Sequence, residues 1–318
     1  MTSHERPRVI FCRTVIAIAL TVALAGCAAH PQFSQQGETA AMAAGDAGPG
    51  VGPEADERGG DVPITKVLVF VVENHSLKQM RQSMPRVFRF AQHNAYATRY
   101  FALTHPSLPN YLAVVSGSTY GVDDDLPPGF HRLAGRTVLG QALNHGKTAE
   151  VYSDSMTGEC ELRNDDKYAV RHNPWTYFVG ELRACEKHDV PASELAADVE
   201  AGTLPNVGFV IPNLRHDAHD AALAVADRWI GRRIRMVQRG ADWHSGHLAV
   251  VVTADEDDRS SGNRVLTVVG SRYQTQRVVT RRLTHYSLTR AIEDILGVRH
   301  LRKARTAPSL IRAFRMAT

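Results

Sequence analysis

Apolar residues along the chain fall into two periodicities. Continuous aliphatic runs recur as KVLVFVV at 66–72, TAEVYS from Thr148, NVGFVIP from Asn206, HLAVVVT from His247 and RVLTVVG from Arg264. Runs this long without polar alternation are the pattern of strands buried on both faces of a parallel sheet. ATRYFAL, from Ala97, is a further candidate strand. Between these runs the spacing turns helical. A mixed stretch extends to about residue 92, and a short apolar helix opens near Pro109. TVLGQALNHG at 137–146 stops at Gly146, a long amphipathic helix covers roughly 218–238, and LTHYSLTRAIEDILG ends the series. Strand and helix alternate without an internal repeat. The expected fold is α/β: one domain with a mainly parallel central sheet flanked by helices.

The N-terminal part departs from this pattern. Arg8 and Arg13 precede the short apolar stretch TVIAIALTVALAG, which ends in Leu24-Ala25-Gly26-Cys27. This resembles a bacterial lipoprotein signal, in which Cys27 becomes the lipidated N-terminus after cleavage. Residues 28–62 are rich in Ala, Gly, Pro and Gln and too poor in large apolar residues to build a core. They are expected to form a flexible tether spanning about 30 Å. Residues 63–318 are then the folded domain of an exported protein, lipid-anchored to the outer face of the bacterial cell membrane or secreted if processed. With Cys12 in the leader and Cys27 lipidated, Cys160 and Cys185 remain, and an even pair in an exported chain favours a disulfide over a zinc pair.

The formal charge of +4 is unevenly spread, with eleven Lys or Arg against two acids between residues 272 and 315. Two readings are open: a surface for anionic lipid or a phosphorylated ligand, and a solvated Arg-rich face, the latter preferred. No aromatic interleaving or nucleic-acid motif accompanies these charges, so nucleic acid is excluded as a partner.

Polar residues concentrate where the strands end. Glu73-Asn74-His75 follows the first run, PNLRHDAHD with Asn213, His216, Asp217, His219 and Asp220 follows the third, and ADEDD with Asp255 and Glu256 follows the fourth. Ligands of such sheets bind at the carboxyl ends of strands. Oxygen donors there suit a hard divalent cation, or zinc if a histidine joins. Ser107 lies between Pro106 and Pro109 at the mouth of a helix, where unsatisfied backbone N–H groups favour an anion. A cation beside that hydroxyl would make it a nucleophile towards phosphorus. Asn110 stands one turn further on. A G-x-S-x-G elbow, which a serine esterase requires, is absent around both Ser107 and Ser116.

VVENHS, THPSLPNYLAVVSGSTYG, PNLRHDAHD, VVTADEDD and THYSLTRAIEDILG, in that order, resemble the bacterial phosphoesterase family of acid phosphatases and phospholipase C enzymes, within the alkaline phosphatase superfamily. Most similar is the branch of secreted acid phosphatases, some acting on phosphatidylinositol 3-phosphate. The resemblance implies Glu73, Asn74, Asp255 and Glu256 as ligands of a divalent cation, with one metal site expected rather than two. It implies Ser107 as the nucleophile in preference to Thr104. Asn110, His105, His172, His216, Asp217, His219 and His285 become candidates on the phosphate side. The expected function is a phosphomonoesterase working through a phosphoserine. The alternatives are a phospholipase-C-type diesterase and a non-catalytic surface lipoprotein that binds phosphorylated ligands.

Overall fold

The computed structural model of the chain describes residues 62–318. The leader, the lipidation candidate Cys27 and nearly all of the 28–62 tether lie outside the described residues. Among the described residues no helix is long and apolar enough to cross a membrane.

Nine strands form one sheet: β1 Lys66–Val72, β2 Ala95–Phe101, β3 Ala149–Ser153, β4 Asp189–Pro191, β5 Val207–Ile211, β6 Leu248–Ala254, β7 Arg264–Gly270, β8 Arg277–Val279 and β9 Leu283–Thr284. Their order is β4-β3-β5-β1-β6-β7-β2-β8, with β9 also paired to β2. From β4 to β6 every neighbour is parallel, whereas β7 runs antiparallel to both β6 and β2. The aliphatic runs account for this arrangement. All five residues of β5 and all seven of β6 are buried, as a strand covered on both faces requires. The mainly parallel α/β architecture is therefore observed.

Because β1, β5 and β6 are adjacent and parallel, their carboxyl ends open on one edge. Backbone hydrogen bonds fasten that edge together: Glu73 N–H donates to the Asp217 carbonyl (2.9 Å) and Asp255 N–H to the Val72 carbonyl (3.0 Å). The helix Ser107–Ser116 is buried along its whole length. It stops at Gly117 in the left-handed region (φ 70°), where a Cβ would lie 2.8 Å from the Leu301 carbonyl oxygen. Glycine alone fits there.

Two helix boundaries differ from the sequence expectation. The stretch after β1 is split into Leu77–Ser83 and Pro85–His93, because Pro85 starts a new helix at its first position. The amphipathic helix begins at Leu223 rather than near 218. Ala218 sits at φ 76° and His219 N–H donates to Asp217 Oδ1 (2.7 Å), so the polar segment turns back to the sheet edge instead of winding up. Cys160 and Cys185 form the expected disulfide, with Cα atoms 5.4 Å apart.

Candidate active site

Glu73 leaves β1 fully buried, and three side chains converge on its carboxylate. The Ser107 hydroxyl donates to Oε2 (3.0 Å), the Asn74 amide to the same oxygen (3.3 Å) and the Tyr111 hydroxyl to Oε1 (2.5 Å). Ser107 and Tyr111 are one helical turn apart, so both face Glu73 from one side of their helix. Asn74 takes a left-handed conformation (φ 54°), which turns its backbone N–H onto Asp255 Oδ1 (3.0 Å). Asn tolerates this conformation better than most residues.

His172 completes the floor from a 3₁₀ turn at Val170–His172. Its Nε2 is 3.4 Å from Glu73 Oε1 and its Nδ1 is 3.2 Å from Asp217 Oδ2, and its ring stacks on Tyr111. Neither nitrogen makes a hydrogen bond, and Asp217 Oδ2 and Asp255 Oδ2 are likewise buried without partners. Glu73, His172 and Asp217 thus present ligand atoms within 4.8 Å of one another.

The electrostatics agree. Burial first, then repulsion from Asp255 and Asp217, holds the Glu73 carboxyl well above the usual carboxylate range. Burial pushes Asp255 and Asp217 up to about 7, and burial with repulsion from Asp255 pushes Glu256 up to about 9. Burial drives His172 the other way, towards the neutral imidazole that a metal requires. These carboxylates cannot ionise together without added positive charge. The unpartnered atoms and the oxygen-plus-imidazole donor set fit a divalent cation.

The remaining candidates separate by what they touch. Glu256 Oε2 accepts from the Asn110 amide (3.2 Å), and Oε1 lies 2.9 Å from His105 Nδ1. Asn110 also donates to the Thr104 and Pro106 carbonyls and accepts from the N–H groups of Leu103 and Thr104. It shapes the turn before Ser107, through the cis His105–Pro106 bond, instead of pointing a free amide outward. His285 is buried beneath the site, with Nε2 2.6 Å from the Asp255 carbonyl and Nδ1 3.1 Å from the Tyr100 hydroxyl. Both its nitrogens are engaged, and burial lowers it to about 4, so it supports Asp255 from below. His216 pairs with Asp154 (2.6 Å) and stacks on Trp229, and His219 pairs with Asp220 (2.7 Å). The group that could hold a metal therefore takes in His172 and Asp217, placed on the phosphate side from sequence.

Sequence reading missed three residues. Tyr111 looks like core in an apolar helix, although its i+4 spacing from Ser107 is a usable signal. Arg171 places Nη2 3.1 Å from His219 Nε2 and Nε 3.8 Å from Asp125, and its charge opposes the upward shift of Glu73. Asp125 accepts from the Leu108 N–H (2.8 Å), next to the nucleophile candidate. Neither Arg171 nor Asp125 lies in a periodic pattern that would have marked it.

This sheet edge, with a serine at a helix start against a carboxylate cluster that could hold a metal, is that of a hydrolase of phosphoric esters with an alkaline-phosphatase-like fold. The chain belongs to the phosphoesterase family, whose model matches residues 73–299. It is 30% identical over 248 residues to a phosphatidylinositol-3-phosphatase of Mycobacterium tuberculosis, covering 77% of this chain and 81% of that one. It is 27% identical over 223 residues to a phosphate-repressible acid phosphatase of Penicillium chrysogenum, covering 66% of this chain but 54% of the relative. Among solved structures, a protein in the alkaline phosphatase superfamily from Vibrio parahaemolyticus matches with a TM-score of 0.54 at 12% identity, over 80% of this chain and 72% of that one. That last likeness concerns the fold alone.

Proposed function

We propose that the protein is an exported, metal-assisted phosphomonoesterase that works through a phosphoserine on Ser107, with phosphorylated headgroups such as phosphoinositides as substrates. The observation that carries this reading is the Ser107 hydroxyl, 3.0 Å from Glu73 Oε2 and at the start of a buried helix. The helix start favours the incoming phosphate through its dipole and the Ser107 N–H, the Leu108 N–H being held by Asp125 and residue 109 being proline. Glu73, Asp217, His172 and Asp255 would hold the cation, which when bound stabilises the serine alkoxide and the charge on the phosphoryl group. Asn74 and Tyr111 fix the Glu73 carboxylate, and Asn110 fixes the turn that aims Ser107. Arg171 supplies the guanidinium for a non-bridging phosphate oxygen. Attack of Ser107 Oγ forms the O–P bond as the ester oxygen leaves with the alcohol, and water then releases phosphate. The headgroup preference draws on the phosphatidylinositol-3-phosphatase relative. Export and lipid anchoring draw on the leader and Cys27.

The test is hydrolysis of a chromogenic phosphate monoester beside the matching diester. Ser107→Ala should lower monoester turnover about 10⁴-fold or more, as loss of a nucleophile does, with thermal stability little changed. Faster diester turnover by the wild type would move the assignment to a phospholipase-C-type activity. Full turnover by Ser107→Ala would remove Ser107 from the mechanism.

A further inference from the structure

At the far end of the Ser107–Ser116 helix the charge balance reverses. Its ten residues rise about 1.5 Å each, so its C-terminal end lies about 15 Å from the nucleophile. There Gly117 accepts the Lys303 N–H (3.1 Å), joining the helix to the 3₁₀ segment Arg302–Thr306. Beside this junction opens a cleft of about 670 Å³ whose ionisable lining is Arg136, His145, Arg299, His300, Arg302 and Arg305. Among the described residues no carboxylate lines it.

None of the four guanidiniums is ion-paired among the described residues. Neighbouring acids make other contacts and no ion pair with them, the buried Glu293 Oε2 having no partner at all. Asp294 takes His300 (2.7 Å) and Arg290 (3.9 Å), and Glu293 accepts the Leu301 N–H (2.6 Å). Glu181 is turned inward onto Thr137 and Trp175. The cleft is also held in shape. The buried Gln141 donates Nε2 to the Arg299 carbonyl (2.7 Å), which pins that segment. Arg302 is kept at φ 35°, a conformation few non-glycine residues adopt, with its guanidinium 4.5 Å from the centre of the Tyr120 ring. Arg305 Nε reaches back to the Arg302 carbonyl (3.4 Å). Like charges gathered without counter-charge favour a ligand that supplies several negative charges at once.

We infer that this cleft is a second anion site, separate from the catalytic centre, for a ligand carrying two or more phosphate groups. Guanidinium forks match phosphate oxygens in pairs, so a single phosphate leaves most of the donors unused. The ligand is a multiply phosphorylated lipid headgroup or a soluble polyphosphate, which share this chemistry. The inference does not depend on the identity of the catalytic substrate.

The test uses the full chain and tripolyphosphate, with calorimetric titration of Ser107→Ala to prevent turnover. Adding Arg299→Gln and Arg302→Gln should weaken binding about tenfold or more. In an otherwise wild-type chain the same pair should leave turnover of a small phosphate monoester unchanged. Orthophosphate should bind the cleft much more weakly than tripolyphosphate. Co-sedimentation with phosphatidylcholine vesicles, with and without phosphatidylinositol bisphosphate, then separates the two sources. An increment lost in the double variant assigns a lipid headgroup. Tripolyphosphate binding without any increment assigns a soluble anion. Binding unaffected by the double substitution, or purely competitive with the monoester, places the ligand in the catalytic centre and overturns the inference.

Discussion

Buried acids serve two different ends in this molecule. Asp189 and Asp227 are fully buried, and their oxygens are taken up by the protein. Ser153 Oγ and the Asn173 amide donate to Asp189, each at 2.6 Å. The backbone N–H groups of Arg86 and Val87 and the Arg86 guanidinium donate to Asp227 at 2.9–3.1 Å, which caps the helix Pro85–His93 from outside. At the sheet edge Glu73, Asp217 and Asp255 are equally buried, yet two of their oxygens and both nitrogens of His172 lack hydrogen-bond partners. The first pair is satisfied from within the fold. The second group leaves four polar atoms on three neighbouring side chains unpartnered. Buried charge alone does not distinguish the two, and nor does a single unmet oxygen, since the buried Glu293 has one as well; four unpartnered atoms gathered on His172, Asp217 and Asp255 do.

Asp189 carries the largest expected effect. Burial lifts its pKa to about 7 in spite of its two bonds, against about 3.9 in an unfolded chain. The folded state therefore binds the proton more tightly between those values, and stability falls as pH rises through that window. The contribution is full below about pH 4 and is gone above about pH 7. Asp189→Asn should remove up to roughly 4 kcal/mol of that pH dependence, measured by urea unfolding from pH 4 to 8. An unchanged slope would mean that Asp189 is not the group responsible.

At Asp227 the expected change is one of stability alone. Asp227→Ala leaves two backbone donors at a buried helix start without an acceptor, costing about 2–3 kcal/mol. Denaturant melts should show this loss, with kcat unchanged. A fall in kcat at full folding would blur the division between the two sets. Smallest is Arg171→Gln, which removes the guanidinium beside the catalytic cluster and should raise KM for a phosphate monoester about tenfold. Equal KM in the two proteins would assign Arg171 to holding His219 and Asp125 only.

How far the sequence discloses this division depends on the residue. Short Val-rich continuous runs read as central strands, so β1, β5, β6 and β7 are legible, and with them the edge where Glu73, Asp217 and Asp255 gather. Ser107 is legible because prolines mark the start of its helix. The short edge strands β4, β8 and β9 are not, since two or three residues carry no periodicity. Nor does sequence separate histidines by their partners. His172 and His285 look alike in it, yet one faces the carboxylates with free nitrogens while the other supports Asp255 with both engaged. The Asn110 amide is absorbed by a turn whose geometry the sequence does not display.

Whether a divalent cation completes the Glu73–Asp217–Asp255 cluster is read from the thermal stability of chelator-treated protein titrated with zinc, manganese and magnesium, for the wild type and Asp255→Asn. Wild type should melt higher on binding at least one of these cations, by the linkage between ligand binding and folding, and should regain turnover. Asp255→Asn should melt higher than wild type when chelated, because a buried repulsion is gone, with a reduced response to the cation and turnover lowered about 10²–10³-fold. Chelated wild type with full activity and no response to any cation would contradict the account.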